Sequence, residues 1–188
     1  MAAAREPFAT AFTILLDTGL RAGELCHLTK ADIDFTSNVI HIQPKTGWKP
    51  KTGDSRAVSM TPRVKALLQK QTRGLHDDHW VFTAQVSAKH PEVGRRLSER
   101  RLLAALKRIT KRLDLPGHVH TFRHTFISLA LSVGVPEAVV RKWVRHVDPE
   151  ILKHDTHIHD TAGQAEMRRI TQTGHQHHLL ESDGTRGA

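Results

Sequence analysis

The chain has 188 residues, enough for one domain with a real core or at most two small ones. Lys and Arg exceed Asp and Glu by 28 to 19, a formal charge of +9, and 38% of residues are hydrophobic, so the chain is polar but globular. The single cysteine, Cys26, excludes an internal disulfide and a two-cysteine zinc site, and no apolar run approaches the roughly 20 residues that span a bilayer.

Residues 6–16 place Phe8, Phe12, Leu15 and Leu16 at helical spacing, and Gly19 closes that helix. A second short helix is expected over 22–29, with Leu25, Cys26 and Leu28 apolar. Val39–Ile42 alternates as a strand does after a turn at Thr36–Asn38, PKTGWKPKTGDSR is rich in lysine and glycine, and RAVSM returns as a strand. Residues 33–60 therefore predict a small antiparallel sheet with a basic hairpin loop. Thr61-Pro62 reads as an N-cap with proline at the first helical position, and Val64, Leu67 and Leu68 share one face. His79–Thr83 is a short apolar stretch of undecided type.

Residues 98–114 form the clearest amphipathic helix, with Leu102, Leu106, Ile109 and Leu113 as its stripe. Arg100, Arg101, Lys107, Arg108, Lys111 and Arg112 surround that stripe; they are a solvated basic face or a DNA contact. After Pro116-Gly117, a helix is expected from about Thr121 to Gly134. Pro136 opens another, with Val139, Val140, Trp143 and Val144 on its buried side. Residues 162–188 form a polar tail. The fold class predicted is mostly α with a small antiparallel β-sheet (α+β).

A basic excess of this size favours a polyanion, because each phosphate neutralised by Lys or Arg releases condensed counterions. Double-stranded DNA leads as the partner, against the blander reading of a merely soluble basic protein. One cysteine and an N-terminus, MAAAREPF, without the order of a signal peptide point to a cytosolic setting and no membrane partner.

Several polar groups stand where a helical core would not ask for them. Arg21 opens the second helix, and Glu24 lies three residues on, close enough to hold its guanidinium. His120 and Arg123 share one face of a helical turn, and His146 ends the following helix. Two arginines, two histidines and a loop lysine can converge on one phosphodiester. The arginines would stabilise pentavalent phosphorane charge, and a histidine would move a proton near neutral pH.

Four motifs, DTGLRAGEL at 17–25, PKTGDSRAVSM at 50–60, HTFRHTF at 120–126 and WVRHVDPEILKHDTHI at 143–158, resemble the catalytic domain of the tyrosine recombinase (phage integrase) family. They occur in the family's order and cover most of residues 8–160. The resemblance implies a tyrosine-recombinase catalytic-domain-like fold over 1–161. It implies a site-specific recombinase of the kind found in mobile elements, acting in DNA integration or DNA recombination, with no metal and no cofactor. It also implies DNA as the substrate, with other recombinase protomers on it, in the bacterial cytosol or nucleoid. By the same resemblance Arg21, His120, Arg123 and His146 are catalytic and Glu24 supports Arg21. Lys51 corresponds to the family's hairpin lysine, with Lys45 as a second candidate. Members usually carry an N-terminal DNA-clamp domain; the chain starts almost at the first catalytic helix, so that domain is expected to be absent and the grip on DNA weaker.

Two departures stand out. Arg145 replaces the glycine of the family's Leu-Gly-His element and is expected to crowd that corner of the pocket. The family's nucleophile is a tyrosine nine residues after this histidine, where the chain has Asp155, and the chain contains no tyrosine at all. The histidines His154, His157 and His159 around Asp155 could be a metal site, but they read better as the surroundings of a missing tyrosine. A carboxylate is shorter and less basic than a phenolate and would leave a labile acyl phosphate. The expectation is a recombinase-type domain without covalent strand transfer. Two alternatives stand beside it: a non-catalytic DNA-binding module regulating recombination sites, and a metal-independent phosphodiesterase with Asp155 or His120 as base.

Overall fold

The structure is a computed structural model that describes residues 4–51, 53, 55–88 and 90–145. It is mostly helical, with one three-stranded antiparallel sheet. Helix α1 (Phe8–Thr18) turns inward Ala11, Phe12, Ile14 and Leu15 and ends at Gly19, whose φ of 63° is left-handed. That angle is open to glycine and strained for other residues.

Helix α2 spans Ala22–Cys26, shorter than the 22–29 expected, and a 3-10 turn follows at Lys30–Asp32. The reason is non-local. Asp32 Oδ2 captures the Thr29 amide (2.7 Å) and hydroxyl (3.0 Å), and the Leu28 carbonyl accepts from the Val81 amide (2.8 Å). The chain leaves the helix to make these bonds. His79–Thr83 accordingly forms bridges, Thr29 with Trp80 and Thr83 with Arg96, rather than a named strand.

Strands β1 (Ile33–Asp34), β2 (Val39–Ile42) and β3 (Arg56–Ser59) lie in that order, with Ile40 opposite both Ile33 and Val58. Helix α3 (Pro62–Gln71) starts as expected, the Val64 amide donating to Thr61 Oγ1 at 3.2 Å. Helix α4 (Glu99–Leu113) buries Leu102, Ala105 and Leu106, whereas Leu113 is exposed. Helix α5 (Val119–Ser132) begins two residues before Thr121, because the His118 amide donates to Thr121 Oγ1 (3.1 Å) and His118 becomes the cap. Helix α6 (Glu137–Val144) buries Val140 and Val144, and Val139 lies at the surface. Phe12 and Phe122 stack at 5.5 Å between α1 and α5, and α6 packs on β3. One core of Leu20, Leu25, Ile40, Val58, Leu68, Phe82 and Leu102 underlies all of this.

Candidate active site

The turn after α1 sets the site. Gly19 occupies its left-handed position against Phe126, where an added Cβ would fall 2.5 Å from the ring. The Gly19 carbonyl accepts from Arg123 Nη1 at 2.6 Å. Leu20 drops into the core, and Arg21 emerges as the N-cap of α2.

Glu24 is 2% exposed and serves two arginines. It accepts from the Arg21 amide (2.8 Å) and from Arg21 Nη1 (3.2 Å). Its two oxygens also take Arg56 Nη1 and Nη2 at 2.7 and 2.6 Å, a bidentate pair. Burial pushes the Glu24 carboxyl up, but the hydrogen bonds and charge of Arg56, then the amide and charge of Arg21, outweigh it and hold the group below its ordinary value. Arg56 Nε donates to the Trp143 carbonyl at 2.6 Å, so one buried cluster joins α2, β3 and the end of α6. Sequence reasoning missed Arg56. Its signal was an arginine in the inward register of RAVSM, where Val58 and Met60 are also buried.

Arg123, buried at 5% exposure, gives Nη1 to Gly19 and Nη2 to the Val144 carbonyl. Burial, then the nearby Arg21 charge, pushes its guanidinium down to about 10. A cavity of about 530 Å³ opens beside this cluster and is lined by Arg21, Glu24, Trp48, Lys51, Leu103 and His120, among others. Partial desolvation, then the charges of His118, His124, Arg123 and Arg21, hold the His120 imidazole below its ordinary value. The neutral imidazole, which can accept a proton, is thereby favoured.

The two candidate lysines part ways. Lys45 Nζ is held by both Asp32 oxygens (2.7 and 2.6 Å), whereas Lys51 sits on an exposed turn at the cavity. The basic residues of α4 divide as well. Arg100, Lys107 and Lys111 are exposed and follow the stripe of Leu103, which reaches the cavity. Arg101 and Arg108 instead line a separate cleft with Pro7, Phe8 and Leu97.

Arg145 takes a φ of 66° at the end of α6, which accounts for a glycine there in the resembling motif. Its Nη2 donates to the Ser55 carbonyl at 2.6 Å. His146, Asp155, His154, His157, His159 and the tail 162–188 lie outside the described residues. Among the described residues no cluster of three or more His, Cys, Asp or Glu side chains could hold a metal ion. No helix among them is long and apolar enough to cross a membrane.

Residues 2–162 match the model of the phage integrase family. The chain is 30% identical over 145 residues to the tyrosine recombinase XerA of Saccharolobus solfataricus, covering 77% of this chain and 44% of that protein. It resembles the Tn1549 transposon integrase in complex with transposon right end DNA at a TM-score of 0.68 and 25% identity, over 86% of this chain and 58% of that one. A crystal structure of XerA recombinase superposes at a TM-score of 0.61 and 22% identity, over 89% and 60% of the two chains, a likeness of fold. The chain spans about half the length of the curated relatives it matches.

Proposed function

Since the chain belongs to the phage integrase family of tyrosine recombinases, we propose that residues 1–161 form a DNA strand-exchange catalytic domain disarmed at its nucleophile position, Asp155. The observation that carries this reading is the meeting of Arg21, Lys51 and His120 on one cavity, above the Glu24–Arg56 pair, in a chain without tyrosine.

A scissile phosphate in that cavity would meet Arg21, whose guanidinium is steadied by Glu24. Arg123 would act from beneath, fixing the Gly19 turn from which Arg21 emerges and adding positive potential to the cavity. His120 would exchange a proton with the phosphodiester oxygens, and Lys51 would protonate the departing 5′ oxygen. In the family's pattern His146 would join this set. The missing step is attack. A phenolate at position 155 would leave a 3′-phosphotyrosyl ester, whereas an Asp155 carboxylate would set like charge against the phosphate and yield no stable adduct. With no tyrosine elsewhere in the sequence, a second copy of this chain could not lend one.

A second reading rests on the same retention of phosphate-facing groups beside Asp155: a DNA-binding module that occupies recombination sites without cutting them. Restoring the phenol distinguishes the two. Asp155→Tyr should form a covalent protein–DNA adduct if the pocket is otherwise competent. Nicking of supercoiled plasmid in the presence of chelator, with no protein left on the ends, would instead favour hydrolysis.

A further inference from the structure

The loop between β2 and β3, residues 43–55, is held at three points by side chains outside the phosphate-facing set. At its near end Lys45 Nζ donates to buried Asp32 (2.7 and 2.6 Å) and to Thr29 Oγ1 (3.1 Å). Lys45 and Trp48 then exchange backbone hydrogen bonds of 2.8 and 2.9 Å, closing a tight turn over Thr46-Gly47. At the far end Arg145 Nη2 donates to the Ser55 carbonyl.

Between these ends, Trp48 lies flat on His27, with ring centroids 4.2 Å apart and 9° between planes. Trp80 meets the same imidazole edge-on at 6.0 Å. His27 is itself fixed: it is the C-cap of α2, and its Nδ1 stands 2.7 Å from the Gly23 carbonyl. One short helix therefore carries Arg21 at its start, Glu24 within it and His27 at its end. Trp48 lines the cavity together with Lys51, which follows three residues later on a turn closed by the Gly53 amide donating to the Pro50 carbonyl (2.8 Å).

We propose that Trp48 is a positioning residue for Lys51, acting through its stack on His27, so that the loop lysine is located by the same helix that presents Arg21. The inference rests on the reading of Lys51 as a phosphate-facing lysine; Lys45 is then the anchor of the loop and not an alternative to it. An exposed lysine on a turn is otherwise free in its long stem, and a misplacement of about 1 Å can cost on the order of 100-fold in rate. An aromatic pair of this kind biases the closed loop by about two- to twelve-fold.

The test reads the loop directly in the 188-residue chain. A nitroxide placed at Lys51→Cys reports local mobility by electron paramagnetic resonance. Cys26 stays unlabelled, because it is fully buried and burial, then Glu99, pushes its thiol up to about 12; the parent carrying Cys26 alone is the control. Trp48→Ala should raise the mobile fraction by about two- to twelve-fold, and Trp48→Phe, which keeps a ring on His27, should rise less than half as far. An unchanged spectrum in a Trp48→Ala chain that still melts cooperatively overturns the proposal, as does an equal rise in the Phe and Ala variants. Should the Ala variant fail to fold, Trp48→Leu takes its place under the same criteria.

A second arm uses Asp155→Tyr with Lys51 intact. Trp48→Ala should slow adduct formation at saturating DNA while the duplex Kd holds; a weakened Kd at an unchanged rate counts against positioning. The mobility arm involves no DNA chemistry, so failure of the recombinase reading alone would leave its result standing.

Discussion

Arg56 and Glu24, 32 residues apart in sequence, form a bidentate ion pair in which each side chain is only 2% exposed. The pair sits under Arg21 and reaches α6 through the Trp143 carbonyl. Two charges so far from water cost desolvation energy, which their mutual geometry must offset; breaking one side leaves the other stranded.

Arg56→Ala should therefore cost about 3–5 kcal/mol in a denaturant melt. The pH dependence gives a sharper check. Glu24 is held below its ordinary value of 4.5, so its contribution is complete above that pH and lost as pH falls through the lower folded value. In the variant, burial is opposed only by the Arg21 amide and charge, the smaller of the lowering causes, so the neutral form of Glu24 is more favoured than in the parent. The stability gap between parent and variant should then narrow as the pH is taken below about 4.5. A gap independent of pH would contradict the pairing.

Gly19→Ala meets two penalties, a left-handed φ and a Cβ 2.5 Å from the Phe126 ring. The loss should be about 1–3 kcal/mol. Combining it with Phe126→Leu should recover part of the sum of the two single losses, on the order of 1 kcal/mol, since the residues touch. Strict additivity in thermal melts would mean that the ring contact is not the cause.

Arg21 and Arg123 should separate by measurement. Arg21→Ala is expected to flatten the log–log salt dependence of duplex binding by about 0.9, one phosphate contact, and to cost less stability than Arg123→Ala because Glu24 keeps its bidentate bonds to Arg56. Arg123→Ala orphans the Gly19 and Val144 carbonyls and should lower stability by about 3 kcal/mol or more. Fluorescence anisotropy across salt concentrations, paired with melts, decides. Equal salt slopes for parent and Arg21→Ala would remove Arg21 from the phosphate.

His120 should titrate below 6.5 in the free protein by NMR, because desolvation and then neighbouring positive groups disfavour its cation. Binding a duplex brings phosphate charge to the cavity and should raise that value. A His120 signal indifferent to DNA would place the phosphate elsewhere.

Much of this architecture is written in local sequence. The α1 stripe with Gly19, the alternation at Val39–Ile42, the Thr61-Pro62 start of α3 and the inward leucines of α4 each follow from spacing or capping within one turn or strand. What escaped was non-local. Helix α2 ends early because Asp32 and Val81 claim the backbone at Thr29 and Leu28, and Leu113 is exposed although it continues the apolar stripe. In the site, Arg21, Glu24 and the His120–Arg123 turn were legible from motif and periodicity. Motif order favours Lys51 over Lys45 although both stand in a KTG context; that Lys45 Nζ is held by buried Asp32 was not legible. Arg56 and the Trp48–His27 stack depend on partners 32 and 21 residues away, beyond any helical or strand period.

The most direct measurement compares the parent with Asp155→Tyr on a suicide duplex carrying a nick and, in parallel, on supercoiled plasmid, with covalent protein–DNA adducts read on a denaturing gel. A pocket lacking only its nucleophile forms an adduct in the Tyr variant alone. An adduct formed by the parent, or none by a Tyr variant that still binds DNA, would rule out such a pocket.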